Sequence, residues 1–343
     1  MKKFSLAAAA ASVAIAAIAT SAGAQSRDTI QIAGSSTVLP FASIVAEEFG
    51  NAFPEFKTPV VGSGGSSGGL RQFCQGTGDN TIDIANASRR IRASEVEACN
   101  QAGVNEILEI QFGYDGIVFA TSADKADFAL EPVHVFKAIA AQIPVDGKLV
   151  DNPNKSWKDV DASLPDQPIA LAIPASNHGT REVFEEKVLA VGCEAAELPA
   201  DAAEDACLNI RQDVVVEIAG DYTETLARLQ SNPDTVGVFG LSFYDQNRDT
   251  LKVANISGVT PSLETIASGE YPVSRPLFFY VKGEHIGTVP GIEEFVEFFL
   301  SEGMSGTGST LEAAGLIPAP AEETEAVLQN FTDRKATTAA DLQ

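Results

Sequence analysis

Positive charge is scarce in this chain: Lys and Arg number 23 against 47 Asp and Glu, a formal net charge of −24. That balance argues against nucleic acid or an anionic membrane as partner, since both carry the same sign. It also opposes a small anion. If an anion is the ligand, its affinity has to come from local donors in a dehydrated cleft, acting against the field of the whole protein. Histidine is rarer still, with 3. His134, His178 and His285 are scattered without ligand periodicity, and the four cysteines contain no C-x-x-C, so neither a metal site nor any cofactor is expected. Beyond the N-terminus no apolar run is long enough to span a bilayer, and no cysteine follows the N-terminal run to carry a lipid.

Residues 1–24 combine Lys2 and Lys3, an Ala-rich apolar run and Ala22-Gly23-Ala24 before Gln25, the pattern of a cleavable signal peptide. The expected mature chain starts at Gln25 and is soluble and periplasmic. Removing 24 residues from 343 leaves 319, enough for two lobes of ordinary size, and loss of the two lysines takes the net charge from −24 to −26. In an exported chain, the even set Cys74, Cys99, Cys193 and Cys207 is spaced for two short-range disulfides, Cys74 with Cys99 and Cys193 with Cys207.

Short apolar runs at 30–33, 58–61, 82–85 and 107–112 alternate with amphipathic stretches such as 41–51 and 94–102, which reads as βαβ units. A second set follows, with strand-like runs at 116–121, 168–173, 214–218 and 236–239 and helical ones at 132–141 and 181–190. No Ser/Gly/Pro-rich tether separates the sets, so crossing strands are expected to join the lobes as a hinge. A strand at 276–281, helical stretches at 292–300 and 309–314, and a polar, loosely patterned tail from Ala319 complete the chain.

Three Gly/Ser/Thr-rich loops each follow a strand and precede a helix: Ala33-Gly34-Ser35-Ser36-Thr37, residues 62–69, and Ser176-Asn177-His178-Gly179-Thr180-Arg181. The first turn of a helix offers unpaired N–H groups and a partial positive end, Gly permits close approach, and Ser and Thr add hydroxyl donors. Each loop is an oxyanion cradle in type. Taken singly, each is more often an ordinary helix cap with a turn. In an open α/β sheet all three lie at the carboxyl ends of strands, where ligands bind, so loops from two lobes can face one small anion.

Through Ala33-Gly34-Ser35-Ser36-Thr37-Val38-Leu39-Pro40, Gly65-Ser66-Ser67-Gly68-Gly69 and Asp83-Ile84-Ala85-Asn86-Ala87-Ser88-Arg89, the chain resembles the periplasmic phosphate-binding component of high-affinity phosphate ABC transporters. The likeness continues in order through Gly113-Tyr114-Asp115-Gly116, His178-Gly179-Thr180-Arg181, Val236-Gly237-Val238-Phe239-Gly240 and Tyr271-Pro272-Val273-Ser274-Arg275-Pro276-Leu277. The resemblance implies an α/β, two-lobed solute-binding fold of type II, each lobe a mixed sheet flanked by helices, with the ligand in the interlobe cleft. The expected division is lobe 1 from 25–112, lobe 2 from 113–261, and a return to lobe 1 with a C-terminal tail over 262–343. It further implies a monomer that is no enzyme, closes on inorganic phosphate and docks on a membrane permease.

By the same resemblance the ligand-binding residues are Ser36, Thr37 and the N–H of Val38 from the first loop, Ser66 from the second, and Gly179 and Thr180 from the third, where His178 replaces the family's usual Ser. Arg89 stands where some members hold an Asp that accepts the proton of hydrogen phosphate, as in a branch with Ser-Arg. Arg89 and Arg181 are therefore candidate donors, each with a surface salt bridge as the alternative. Asp115 is the substitute acceptor, or else a carboxylate capping a turn at the lobe crossing. Within the binding class, sulfate, arsenate or a phosphonate are the other ligands. A secreted serine hydrolase is the rival of another class, because Gly64-Gly65-Ser66-Ser67-Gly68 fits G-x-S-x-G with Asp115 and His178 following. A phosphatase lacks the metal-ligand cluster or nucleophile motif it would need.

Overall fold

The computed structural model describes residues 27–176, 179–199, 202–203, 205–219 and 222–342. The expected signal peptide and His178 lie outside the described residues. Strands β1 (Gln31–Gly34), β2 (Val60–Ser63) and β3 (Ile84–Ala87) are each followed by a loop and a helix, Leu39–Ala52, Ser66–Phe73 and Ala93–Gln101, before the long β4 (Ile107–Ser122). Then come β5 (Ala129–Leu130), the hairpin of β6 (Gln142–Val145) and β7 (Lys148–Asp151), β8 (Leu171–Pro174), β9 (Val215–Ile218) and β10 (Val236–Gly240). The chain returns through β11 (Leu251–Val253), β12 (Asn255–Ile256), β13 (Ser274–Lys282) and β14 (Ile317–Pro318).

A ten-stranded mixed sheet has the order β2-β1-β3-β13-β4-β10-β8-β9, with β11 and β14 also paired to β4. At one end β1 runs parallel to β2 and β3, and at the other β8 runs parallel to β9 and β10. In the middle β4 and β13 pair antiparallel, Asp115 standing opposite Arg275. Residues 107–112 and 116–121 read as two strands in the sequence; they form one, because Gly113, Tyr114 and Asp115 keep their pairing to β13 and β14.

Two cores lie on either side of this crossing. In the first, Phe41, Val45 and Phe49 lie about one turn apart on the Leu39–Ala52 helix and face Phe295 and Phe299, with Phe112 and Phe279 rising from the sheet. Phe49 meets Phe295 edge-on at 5.4 Å, and Phe112 meets Phe299 at 4.8 Å. Burial of each such ring stabilises by roughly 1.5–3 kcal/mol. The second core gathers Ile117, Phe119, Trp157, Phe184, Phe239 and Tyr271. Ile266, Tyr271 and Val273 belong to it while Leu277 belongs to the first, so core membership changes between Val273 and Leu277.

The tail from Ala319, polar in its pattern, forms the helix Ala321–Thr332, which buries Phe331 and lays Val327 and Leu328 on the first core. Both expected disulfides are present, Cys74–Cys99 and Cys193–Cys207. Among the described residues no helix is long and apolar enough to cross a membrane.

Candidate functional site

Because β1, β2 and β3 are parallel, the loops after them lie side by side at their carboxyl ends. Gly34 permits the approach: at φ +148° its hypothetical Cβ would stand 2.1 Å from the Asn86 carbonyl oxygen. The Ser35 N–H donates to that same carbonyl at 2.9 Å. The buried Ser35 hydroxyl turns back to accept from the N–H groups of Thr37 at 3.2 Å and Val38 at 3.4 Å. Ser35 thus shapes the loop, and the Val38 N–H expected to meet the ligand points toward it. Ser36 is left exposed and Thr37 faces a cavity.

In the second loop Gly65 adopts φ +69° just before Ser66 opens its helix. The Ser66 hydroxyl accepts from the Ser88 N–H at 3.0 Å and lies 3.1 Å from the Ser88 hydroxyl, which joins the second loop to the end of β3. Arg89 follows. Its guanidinium donates to both oxygens of Glu95 at 2.7 and 2.9 Å and to the Ser67 hydroxyl at 3.0 Å. The hydrogen bonds to Glu95 hold its pKa above the usual guanidinium value. Arg89 therefore sits on the loop with its fork engaged by a carboxylate. Arg90 pairs with Glu109.

In the third loop Thr180 lines the same cavity as Thr37, and its hydroxyl accepts from Tyr222 at 3.2 Å. Burial holds the Tyr222 phenol above its ordinary pKa, so it remains a donor. Arg181, buried, donates to the Pro174 carbonyl at 3.0 Å and to Glu185 at 2.7 Å, and stands 3.3 Å from Glu217. Every one of these acceptors belongs to the second half of the molecule.

The charged centre is the pair on the crossing strands. Arg275 is 4 % exposed; it donates to the Thr37 hydroxyl at 2.8 Å and to Glu186 at 2.8 Å. Its Nε lies 3.5 Å from Asp115 Oδ2, and neither of these buried atoms has a hydrogen-bond partner among the described residues. Burial pushes the Asp115 carboxyl up to about 6; Arg275 opposes the shift, and the charges of Glu182 and Glu186 add to it. Thr37, Asp115 and Thr180 line one cavity of about 560 Å³, with Tyr222, Ser242 and Phe243 completing its wall. Such a volume suits a small ligand.

Hydroxyl donors, a guanidinium and an unpartnered carboxylate oxygen in one buried place can bind an oxyanion that still carries a proton, the carboxylate accepting it. Among the sequence candidates the structure brings together Thr37, Asp115 and Thr180 at the cavity, with Ser36 exposed beside Thr37. Ser66 and Arg89 form a neighbouring group, and Arg181 is held apart. Arg275, Glu182, Glu186 and Tyr222 were not singled out from the sequence. For Arg275 the signal was available: with Lys282 it is one of two cations in the otherwise largely apolar run that forms β13. Ser66 rests against Ser88, and Asp115 faces Arg275, so among the described residues neither is arranged as part of a nucleophile's relay. Nor could any group of three or more His, Cys, Asp or Glu residues among them hold a metal ion.

Residues 19–303 match the model of the PBP superfamily domain. The chain is 31% identical over 336 residues to Protein SphX of Synechococcus elongatus, covering 94% of this chain and 89% of that one. It is 30% identical over 292 residues to the phosphate-binding protein PstS of Staphylococcus haemolyticus, covering 84% of this chain and 80% of the relative. Among solved structures it is similar to a possible phosphate binding protein from Planctomyces limnophilus, with TM-score 0.69 and 28% identity over 90% of this chain and 98% of that one.

Proposed function

Because the chain belongs to the PBP superfamily and, within it, to the family of phosphate-binding proteins PstS, we propose that it captures inorganic phosphate in the cavity between its two lobes and hands it to the membrane permease of an ABC importer. It works in the periplasm after removal of residues 1–24, as a monomer. The first lobe comprises 25–112 and the chain after the return crossing, and the second lies between. The ligand is held and released unchanged, as in a binding protein and not an enzyme.

One observation carries this reading: the buried Arg275 guanidinium and the Thr37 hydroxyl stand beside the Asp115 carboxylate, whose Oδ2 has no hydrogen-bond partner among the described residues. Phosphate offers acceptor oxygens to Arg275 and Thr37 and a donor to the Asp115 Oδ2, which has none among the described residues. Ser36, the N–H of Val38, Ser66, Gly179 and Thr180 supply further donors, and Arg89, His178 and Arg181 complete the set of candidates. Six to ten charge-assisted hydrogen bonds, each about 1.5–3 kcal/mol before desolvation and closure, are consistent with a complex near −8 kcal/mol, about micromolar. Asp115 takes over selection of phosphate against sulfate, the part the family's other branch gives to the residue at the Arg89 position.

Equilibrium dialysis of ligand-stripped protein against labelled phosphate tests the reading. Saturable uptake of one phosphate per chain is expected; uptake that never saturates, or uptake of arsenate, sulfate or a phosphonate in preference, would overturn it.

A further inference from the structure

The first-loop donors already hold an anion of the protein's own. The Thr37 hydroxyl donates to Glu182 Oε2 at 2.6 Å, the Ser36 hydroxyl lies 3.5 Å from the same oxygen, and Arg275 Nη2 approaches it to 3.5 Å. Glu182 belongs to the helix Gly179–Phe184, which follows the third loop, whereas Ser36 and Thr37 belong to the first loop. One turn on, Glu186 takes the other arm of Arg275 at 2.8 Å. Two carboxylates from the second half thus reach across the cleft to one cation and two hydroxyls of the first.

We infer that Glu182 is an internal plug: its carboxylate takes the place of one phosphate oxygen, holds the two halves together across the cleft, and has to be displaced before phosphate can bind. The inference rests on the phosphate reading above. Its physical ground is charge. Asp115, Glu182 and Glu186 already set three acids around the single Arg275. An entering anion would add to them at hydrogen-bond range in a place of low polarity, so one carboxylate must leave. Glu182 is the one able to do so. Its side chain is 34% exposed, against 7% for Asp115, so it can swing to water while Asp115 stays buried as the acceptor. Displacement also exchanges one anion for another on the same donors, so the donors are never left unsatisfied during capture.

A protein whose cleft is plugged most of the time binds more weakly by the fraction left open, so a competent fraction of about one tenth lowers affinity about ten-fold. The test compares wild type, Glu182→Gln and Glu182→Asp by calorimetry with phosphate near neutral pH, and by small-angle scattering without ligand. The plug predicts that Glu182→Gln binds phosphate about ten-fold more tightly, with a larger ligand-free radius of gyration. Glu182→Asp, which keeps the charge but is one methylene shorter, should move in the same direction by less. Binding by Glu182→Gln that is weaker than or equal to that of a wild type that does bind would overturn the plug alone; weaker binding would make Glu182 an acceptor of the phosphate proton. A wild type silent to phosphate would overturn the phosphate reading together with the displacement built on it.

Discussion

Replacing Asp115 with Asn removes a buried carboxyl at the site whose protonation changes near pH 6. In the folded protein burial raises its carboxyl to about 6 from its ordinary value of 3.8. At about 1.36 kcal/mol per pH unit, that difference corresponds to about 3 kcal/mol. The sign follows from linkage. The folded state favours the neutral form, so the stability it contributes is fully present below about 3.8 and is lost as pH rises through about 6. Asn is neutral throughout. Urea unfolding of the ligand-free proteins between about pH 4 and pH 7 should therefore show Asp115→Asn gaining on wild type by about 3 kcal/mol as pH rises, then running parallel to it. A difference that stays constant with pH, or one that shrinks as pH rises, would refute the reasoning.

The same substitution reads out selectivity. On the proposed reading the wild-type carboxylate, ionised above about 6, accepts the proton of phosphate, an interaction worth about 1.5–3 kcal/mol that sulfate cannot make. Asp115→Asn should therefore narrow the preference for phosphate over sulfate by about ten- to hundred-fold, and wild type below about 6 should begin to accept sulfate. Unchanged selectivity in the variant would place the acceptor elsewhere.

Arg275→Met should abolish measurable phosphate binding and cost about 3–5 kcal/mol of stability, since Asp115 is left buried without its cation; calorimetry and urea unfolding together check this. Gly69→Ala would set a Cβ 2.4 Å from Gly34 Cα, so the first two loops must separate; a loss of about 1–3 kcal/mol with weaker phosphate binding is expected in the same two assays. Removing the Cys193–Cys207 bridge as a double Ser variant frees a loop of sequence separation 14 and should lower stability by about 3 kcal/mol, leaving phosphate affinity unchanged.

What was legible in the sequence is what local chemistry dictates. Glycine and serine after an apolar run mark a strand-to-helix turn, so the three loops and their place at the carboxyl ends of strands could be read. The even cysteine count at short spacing did the same for both disulfides. Other features depended on tertiary contact. The span over Gly113 to Asp115 looked like a break because extended pairing to β13 is not encoded in β4 itself. Arg275 was passed over within an apolar strand, and its role comes only from Asp115 opposite and Thr37 above it. Glu182 and Glu186 fall within the stretch 181–190 that reads only as helical, yet they face a cation across the cleft. Val327, Leu328 and Phe331 fell in a polar stretch, and only the first core gives them a partner.

Calorimetric titration of the ligand-stripped mature chain near neutral pH, first with phosphate and then with sulfate, tests the central claim most directly. The account predicts one phosphate bound per chain with a dissociation constant of about a micromolar or below, and no heat from sulfate. Sulfate bound as tightly as phosphate, or silence from both, would contradict it.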